Sequence, residues 1–205
     1  MTTSGNRVPE SAIGFPSGPD VDVREIDDVN WSVLRAFEYQ AAWDRYEVPV
    51  AERTDFASVP RIFIWFIPTY GRYTKAAVLH DHLCRLAREG TFKRREADGI
   101  FRQAMRTLGV AFLRRWIMWA GVRFGAVPTN EPWSDWFRDG WLAVLISLPV
   151  LPIVVPPAVV IFLALIAWHV VELATWPFLR LGKWIQERRG KTAKRVVTPE
   201  WTLKT

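Results

Sequence analysis

The stretch Thr74-Lys75-Ala76-Ala77-Val78-Leu79-His80-Asp81-His82-Leu83-Cys84 decides how the central part of this chain folds. Its apolar residues recur at three- and four-residue spacing, which is typical of a helix with one buried face. The imidazole of His80 falls on that face, because its helical neighbours are small or apolar: Ala76, Ala77, Leu83 and Cys84. Asp81 falls at the edge of the same face. A His-Asp pair in a packing surface needs polar partners elsewhere in the fold.

A second amphipathic helix is predicted over 94–108, after a short turn that contains Gly90. Three-four spacing puts Asp98 on its apolar face. Two antiparallel helices joined by so short a turn pack against each other. The sequence therefore predicts a buried or half-buried cluster of His80, Asp81 and Asp98.

The distribution of charge indicates a membrane partner for this chain. Lys and Arg number 27 against 21 Asp and Glu, a net charge of +6, which suits nucleic acid or anionic lipid. Residues 141–179 contain only His169 and Glu172 as ionisable side chains, whereas 180–195 is strongly basic. This order is typical of a membrane segment followed by an anchor for anionic lipid headgroups. We therefore expect a lipid bilayer as the partner and no nucleic acid.

The apolar stretch 141–179 exceeds the ~20 residues that one membrane-spanning helix needs. Pro156-Pro157 divides it into segments 141–155 and 158–179, since proline interrupts the helical hydrogen-bond ladder. We expect a two-helix membrane hairpin with both ends in the cytoplasm, or a re-entrant hairpin that does not fully cross. Tryptophans near its ends fit the membrane interface: Trp136, Trp141, Trp176 and Trp184.

His169 and Glu172 lie three residues apart in the second apolar segment. Ionisable groups within lipid face protein, water or a partner chain. The pair therefore indicates a contact between the membrane helices or between copies in a homo-oligomer. The alternative is an ion path through an oligomeric pore.

Composition and patterning divide the chain into parts of different character. These are a disordered N-terminus, a soluble domain, a linker, a membrane hairpin and a basic tail: 1–20, 21–126, 127–140, 141–179 and 180–205. The chain opens on polar residues without a signal peptide, and the single cysteine, Cys84, excludes an internal disulfide. We therefore expect the soluble domain and the tail to be cytoplasmic.

The soluble domain is predicted to be α+β and mostly helical. Aromatic and β-branched residues alternate loosely over 21–50, which favours a few short strands. Ser58 and Pro60 are typical of the start of a short helix. After the helical pair, 110–124 predicts a third helix, which either lies on the membrane surface through its Trp and Arg residues or packs on the first two.

Ordered motifs carry a resemblance to a known family: Thr54-Asp55-Phe56-Ala57-Ser58-Val59-Pro60-Arg61, then Leu79-His80-Asp81-His82-Leu83, then Ala97-Asp98-Gly99-Ile100-Phe101. Over roughly 48–125 the chain resembles the domain of unknown function 1353, a family of uncharacterised proteins from phages, prophages and bacteria. The resemblance implies a phage or prophage origin and brings no established activity. The chain departs from the family pattern at Cys84, where an aromatic residue is usual, and at Glu52-Arg53, where Gly-Phe is usual.

The His-Asp pair on one helix, with Asp-x-x-Phe on its partner, is also similar to the phospholipases A2. In that family the His activates a water molecule, the adjacent Asp holds calcium and the distant Asp orients the His. The likeness implies that His80 is the base, Asp81 the calcium ligand and Asp98 the orienting residue. The glycine-rich calcium loop and the disulfides of that family are absent here, and Asp55 is the candidate substitute ligand.

Two functions follow as alternatives. The first is a membrane-anchored hydrolase that acts on phospholipid or another ester at the bilayer surface and uses a divalent cation. The second is a non-catalytic membrane or virion-associated interaction protein, in lysis, envelope remodelling or tail assembly, in which His80 and Asp98 only satisfy each other's hydrogen bonds. A triad with Ser58 matches by residue type, but no Gly-x-Ser-x-Gly elbow surrounds that serine.

Overall fold

The computed structural model describes residues 7–57, 59–126 and 133–189. Its N-terminal part contains short strands: β1 (Val23–Glu25), β2 (Trp31–Val33), β3 (Phe37–Gln40), β4 (Arg45–Val48) and β5 (Arg53–Thr54). These strands pair antiparallel, with the order β1-β2-β5 in one sheet and β3-β4 in the other. The predicted α+β class with short N-terminal strands is confirmed.

Three helices follow these strands: α1 (Thr74–Arg88), α2 (Arg94–Thr107) and α3 (Phe112–Gly125). The last two begin and end within two residues of their predicted positions. The turns after α1 and α2 use left-handed glycines, Gly90 at φ +77° and Gly109 at φ +70°, a conformation that residues with a Cβ rarely adopt. α1 packs on α2, and α2 packs on α3.

The core of the domain lies between the strands and these three helices. Its largest fully buried apolar side chains come from both sources: Val33, Tyr39, Val48, Leu79, Leu83, Phe101 and Met105. Each such side chain contributes about 1.5–3 kcal/mol when it is fully buried. α1 contacts both α2 and β5. Residues that are adjacent in the sequence of α1 can therefore face different elements, one towards α2 and the next towards β5.

Residues 7–20, whose composition predicts disorder, lie against the domain. Gly14 forms an antiparallel bridge with Gln40. The ammonium of the buried Lys75 donates hydrogen bonds of 2.7–3.0 Å to the segment: Ser17 Oγ, Gly18 O and Asp20 O. The structure therefore differs from the expected disorder over 7–20, because a buried ammonium must be hydrogen-bonded. Residues 1–6 lie outside the described residues.

α4 (Trp133–Ser147) corrects two expectations. The predicted linker 127–140 is already helical from residue 133, and the predicted membrane segment 141–155 begins inside α4. This helix packs on α3 through a small apolar cluster: Trp119, Ala120 and Ala143. α4 therefore belongs to the domain, and residues 127–132 lie outside the described residues.

α5 (Leu151–Arg188) is one continuous helix of 38 residues. The predicted turn at Pro156-Pro157 is wrong, because both prolines lie inside α5 and the chain turns instead at 148–150. Each proline removes one helical hydrogen bond, while the bonds of the flanking residues keep the helix continuous. One long apolar helix therefore replaces the predicted two-helix hairpin.

α5 is long and apolar enough to span a membrane, by length and composition. Its first turns lie against the domain, since Val154 and Ala158 are buried and α5 contacts the 3-10 helix Arg61–Phe63. A helix that does not turn back gives no reason for both of its ends to lie on one side of a membrane. The structure therefore does not support the expectation that the domain and the tail lie on the same, cytoplasmic side. Residues 190–205, which form most of the tail, lie outside the described residues.

Candidate functional site

His80 and Asp98 are brought together by the packing of α1 on α2. Nε2 of His80 lies 2.7 Å from Oδ1 of Asp98. The histidine is 6% exposed and the aspartate is completely buried. Phe101, one turn after Asp98, stacks on the imidazole with 4.8 Å between ring centres. The hydrogen bond and the ring contact together hold the imidazole in one orientation.

Asp98 is ionised in the folded protein. Burial alone would raise the pKa of Asp98, but the hydrogen bond and charge of His80, the charge of Arg94 and the hydrogen bond from Arg123 hold it below its ordinary value. Arg94 Nε lies 3.2 Å from Oδ1, and Arg123 Nη1 donates to Oδ2 at 2.9 Å. An ionised carboxylate only accepts hydrogen bonds, so Nε2 of His80 carries a proton, and Nδ1 is the ring nitrogen that has the lone pair in the neutral tautomer.

The carboxylate of Asp98 is also part of a larger charge network. The completely buried Arg123 reaches α4, where its Nη2 lies 3.1 Å from Oδ1 of Asp139. The other oxygen of Asp139 accepts a 3.0 Å hydrogen bond from Arg95 Nε of α2. Buried charges are tolerated when they are paired in this way. The network joins α1, α2, α3 and α4.

Cys84 adds a third potential metal ligand beside His80 and Asp98. Its Sγ lies 3.4 Å from Nε2 of His80, and one ligand atom from each of the three residues lies within 4.8 Å of the others. Burial raises the pKa of Cys84 to about 12, so the thiol keeps its proton, whereas metals bind the thiolate. The guanidinium groups of Arg94 and Arg123, which both contact Asp98, would also repel a cation. These residues fit a hydrogen-bonded cluster better than a metal site.

Asp81 points away from Asp98, because successive helical residues are about 100° apart. Its Oδ2 accepts a 2.5 Å hydrogen bond from Oγ1 of Thr54 in β5, and the backbone N–H of Asp55 also donates to it. Burial, and then the negative charge of Asp55, raise the pKa of Asp81 well above its ordinary value; the Thr54 bond and the charge of Arg85 offset this only in part. Asp81 and Asp55 are both half-buried.

The turn after β5 has an unusual backbone at Phe56. Its φ is +60°, a left-handed conformation that costs about 1–2 kcal/mol for a residue with a Cβ. Its amide donates to Oγ1 of Thr54 at 2.9 Å, so one hydroxyl joins this turn to Asp81. Backbone strain of this kind occurs often at functional sites. Ser58 lies outside the described residues, and the short helix predicted there begins at Arg61.

Glu52 ties β5 to α1 beside this carboxylate pair. Its Oε2 lies 3.1 Å from Nδ1 of His82, and its Oε1 lies 2.5 Å from Nη2 of Arg85. Arg85 also donates from Nη2 to the backbone oxygen of Arg53 at 2.7 Å. His82 therefore contacts Glu52 on a different side of α1 from His80.

The four residues expected in the site form two pairs, His80 with Asp98 and Asp81 with Asp55. The single cluster of His80, Asp81 and Asp98 is not formed, since α1 directs its two polar side chains towards different partners. Several residues that hold these pairs were not among the predicted site residues: Thr54, Glu52, Arg94, Arg123 and Asp139. A signal for Arg123 was present, because its spacing from the buried Trp119 and Ala120 puts its charge on the packing face of α3.

The pair in the apolar C-terminal helix lies within α5 itself. Nδ1 of His169 is 3.7 Å from Oε2 of Glu172, and Trp168 donates from Nε1 to Oε1 of Glu172 at 2.9 Å. A contact of this pair with a second copy stays a prediction.

The comparisons with known proteins concern the domain that carries both pairs. Residues 31–122 match the family model described as "Protein of unknown function (DUF1353)". Neither a curated protein nor a solved structure matches the chain. The phage origin and the phospholipase A2 likeness stay predictions. The matched range spans β2 to β5, α1, α2 and most of α3, and Arg123 follows it directly. Over residues 31–122 the chain is therefore similar to the DUF1353 family, which is described as proteins of unknown function.

Proposed function

We propose that the protein is a membrane-anchored hydrolase in which His80 is the general base. The observation that carries the proposal is the 2.7 Å contact between Nε2 of His80 and the ionised Asp98. Because Asp98 holds the proton on Nε2, Nδ1 is left to take a proton from a water molecule. The stack on Phe101 limits rotation of the ring, which lowers the entropic cost of reaching the reactive geometry.

Asp81 and Asp55 are the proposed ligands of a divalent cation such as Ca²⁺. That ion prefers carboxylate and backbone carbonyl oxygens, which the turn after β5 can supply. After burial, the negative charge of Asp55 is the next cause of the raised pKa of Asp81, so the two carboxylates lie close enough to share one cation. Binding of that cation would require Asp81 to lose its proton. A bound divalent cation supplies Lewis-acid polarisation of an ester carbonyl.

α5 is the proposed membrane anchor, and it would keep the domain where phospholipid esters are concentrated. A helix of 38 residues reaches about 57 Å at 1.5 Å per residue, more than the ~30 Å of the hydrocarbon core. A single pass would put the domain and the C-terminal tail on opposite sides of the bilayer. Basic residues at its C-terminal end suit an anionic headgroup region.

The test is release of fatty acid from phospholipid vesicles by the purified full chain, with Ca²⁺ and with excess chelator. We expect Ca²⁺-dependent release by the wild type and none by His80→Ala. His82→Ala is the matched control, because His82 lies on the same helix but pairs with Glu52, and it should retain the release. Release that His80→Ala leaves unchanged, or no release from any common phospholipid, would contradict the proposal.

A non-catalytic interaction protein is the second candidate, and the burial of His80 favours it. With the histidine 6% exposed and both oxygens of Asp98 bound, the cluster stabilises helix packing without any chemistry. A role in lysis, envelope remodelling or tail assembly is the prediction that accompanies this candidate. For this candidate we expect His80→Asn to complement a deletion strain fully, whereas a chain without residues 148–205 fails. Loss of complementation by a folded His80→Asn protein would favour the hydrolase.

A further inference from the structure

α4 exposes a stripe of large apolar side chains along one face. Each keeps 40–60% of its surface exposed, and together they follow three-four spacing: Phe137, Trp141, Val144 and Leu145 in α4, and Leu148 directly after its last residue. Residues at this spacing lie on one side of a helix, over about 17 Å from first to last. Contiguous apolar surface of this kind on a soluble domain marks an interaction site. We call these five residues the α4 stripe.

The opposite face of α4 is held by the domain. Ala143 is completely buried against α3, and Asp139 is bonded to Arg95 and Arg123. α4 has 15 residues, fewer than the ~20 that a membrane pass needs. Because one face is fixed and the helix is short, α4 cannot cross a bilayer, although it can lie along the surface of one.

The position of the stripe indicates what covers it. Only Pro149 and Val150 separate Leu148 from the start of α5. The exposed apolar surface continues from Leu148 into the first turns of α5, where Leu151 and Ile153 are exposed while Val154 is buried against the domain. The stripe is therefore continuous with the helix that is proposed to enter the bilayer. Arg138 is exposed on the edge of the same face, and an apolar face edged by a basic residue is typical of helices that lie in the headgroup region.

We propose that the α4 stripe lies in the boundary between headgroups and acyl chains of the bilayer that α5 enters, and that it docks the domain on the membrane surface. This inference rests on the proposed membrane anchoring by α5. Docking through α4 in addition to α5 fixes the orientation of the domain, because two connected elements contact the same surface. The Asp81–Asp55 pair then keeps a constant position relative to the lipid.

The test uses spin labels on the full chain in anionic phospholipid vesicles. Leu145→Cys labels the stripe, Leu163→Cys labels an exposed position of α5, and Asp28→Cys labels an exposed loop as the aqueous control. The native Cys84 is 4% exposed and its pKa is raised to about 12, so it will not compete for the label. Accessibility to oxygen and to a water-soluble nickel complex gives the depth of each label.

We expect the Leu145 label to lose nickel accessibility and to lie ~5–10 Å below the headgroups, the Leu163 label to lie deeper, and the Asp28 label to stay aqueous. A nickel-accessible Leu145 label with a lipid-embedded Leu163 label would overturn the docking and leave the anchor intact. Spin–spin broadening at Leu145 that disappears on dilution with unlabelled protein would show a second copy on the stripe and overturn it as well. An aqueous Leu163 label would reject the anchor and the docking together.

Discussion

Arg123 donates from Nη1 to Oδ2 of Asp98 at 2.9 Å, and both side chains are completely buried. Asp98 lies within the range that matches the family, whereas Arg123 lies one residue beyond it. The same guanidinium group contacts Asp139 of α4. The carboxylate that orients His80 is therefore linked to the helix that leads into α5.

Arg123→Met should destabilise the protein by about 3–5 kcal/mol, because Asp98 stays buried and charged but loses one of its positively charged partners. Thermal unfolding of the full chain in detergent, followed by circular dichroism, measures the effect. Arg114→Met is the matched control, since Arg114 is exposed on the same helix, and it should change the stability by less than about 0.5 kcal/mol. Equal effects of the two substitutions would contradict the network.

Asp98→Asn should lower stability at pH 7 and have less effect in acid. The folded-state pKa of Asp98 lies below its ordinary value. Its contribution is therefore fully present above the unfolded-state pKa and is lost as the pH falls through the folded-state pKa. Melting temperatures of the variant and the wild type should converge below about pH 4. A difference that stays constant from neutral to acid pH would refute this role.

Asp81→Asn should have the opposite pH dependence. The folded-state pKa of Asp81 is raised, so its contribution is full below the unfolded-state pKa and is lost as the pH rises through the folded-state pKa. The variant should be more stable than the wild type at pH 7, and the difference should disappear in acid. Urea titrations at several pH values measure the difference, with Asp28→Asn on an exposed loop as the control. A wild type no less stable than the variant at pH 7 would count against the raised pKa.

Ca²⁺ should raise the melting temperature of the wild type at pH 7, because an ion that binds only the folded state stabilises it. Asp81→Asn should lose most of this shift, since it removes one of the two proposed carboxylate ligands. Glu38→Gln, at a half-buried strand position outside the proposed site, is the control. An equal shift in all three proteins would assign the effect to non-specific binding.

Lys75→Met should release the N-terminal segment from α1. The substitution leaves three acceptors between Ser17 and Asp20 without their donor. Because these acceptors are exposed or half-buried and water can reach them, the expected cost is about 0.5–1.5 kcal/mol for each lost hydrogen bond. Hydrogen exchange should become faster over residues 8–20 and stay unchanged in α2. Arg72→Met, at an exposed position just before α1, should alter neither region.

Local patterns predicted the helical pair and one of its contacts. The spacing around His80 and Asp98 identified the buried face of each helix, and the short turn at Gly90 made the helices antiparallel neighbours. Contacts between residues so close along the chain follow from helix geometry alone. The contact of Asp98 with Arg123 joins residues 25 apart through a third helix, and no local pattern specifies how that helix rotates about its axis.

The C-terminal part differed most from its prediction. Pro156-Pro157 interrupts the sequence pattern, and yet α5 continues through it, because the loss of single hydrogen bonds does not end a long apolar helix. The residues of α4 resemble the start of a membrane segment by composition. Packing on α3 assigns them instead to the domain, since one face of α4 meets Trp119 and Ala120.

The sequence by itself determined the α+β class, the helical pair with His80 facing Asp98, and an apolar C-terminal region, since these depend on periodicity and composition. Only the tertiary structure decided that Asp81 turns towards Thr54 and Asp55, that Arg123 shares Asp98 with His80, and that α4 joins the domain. These contacts depend on the relative rotation and approach of separate elements, which the burial of the whole core sets.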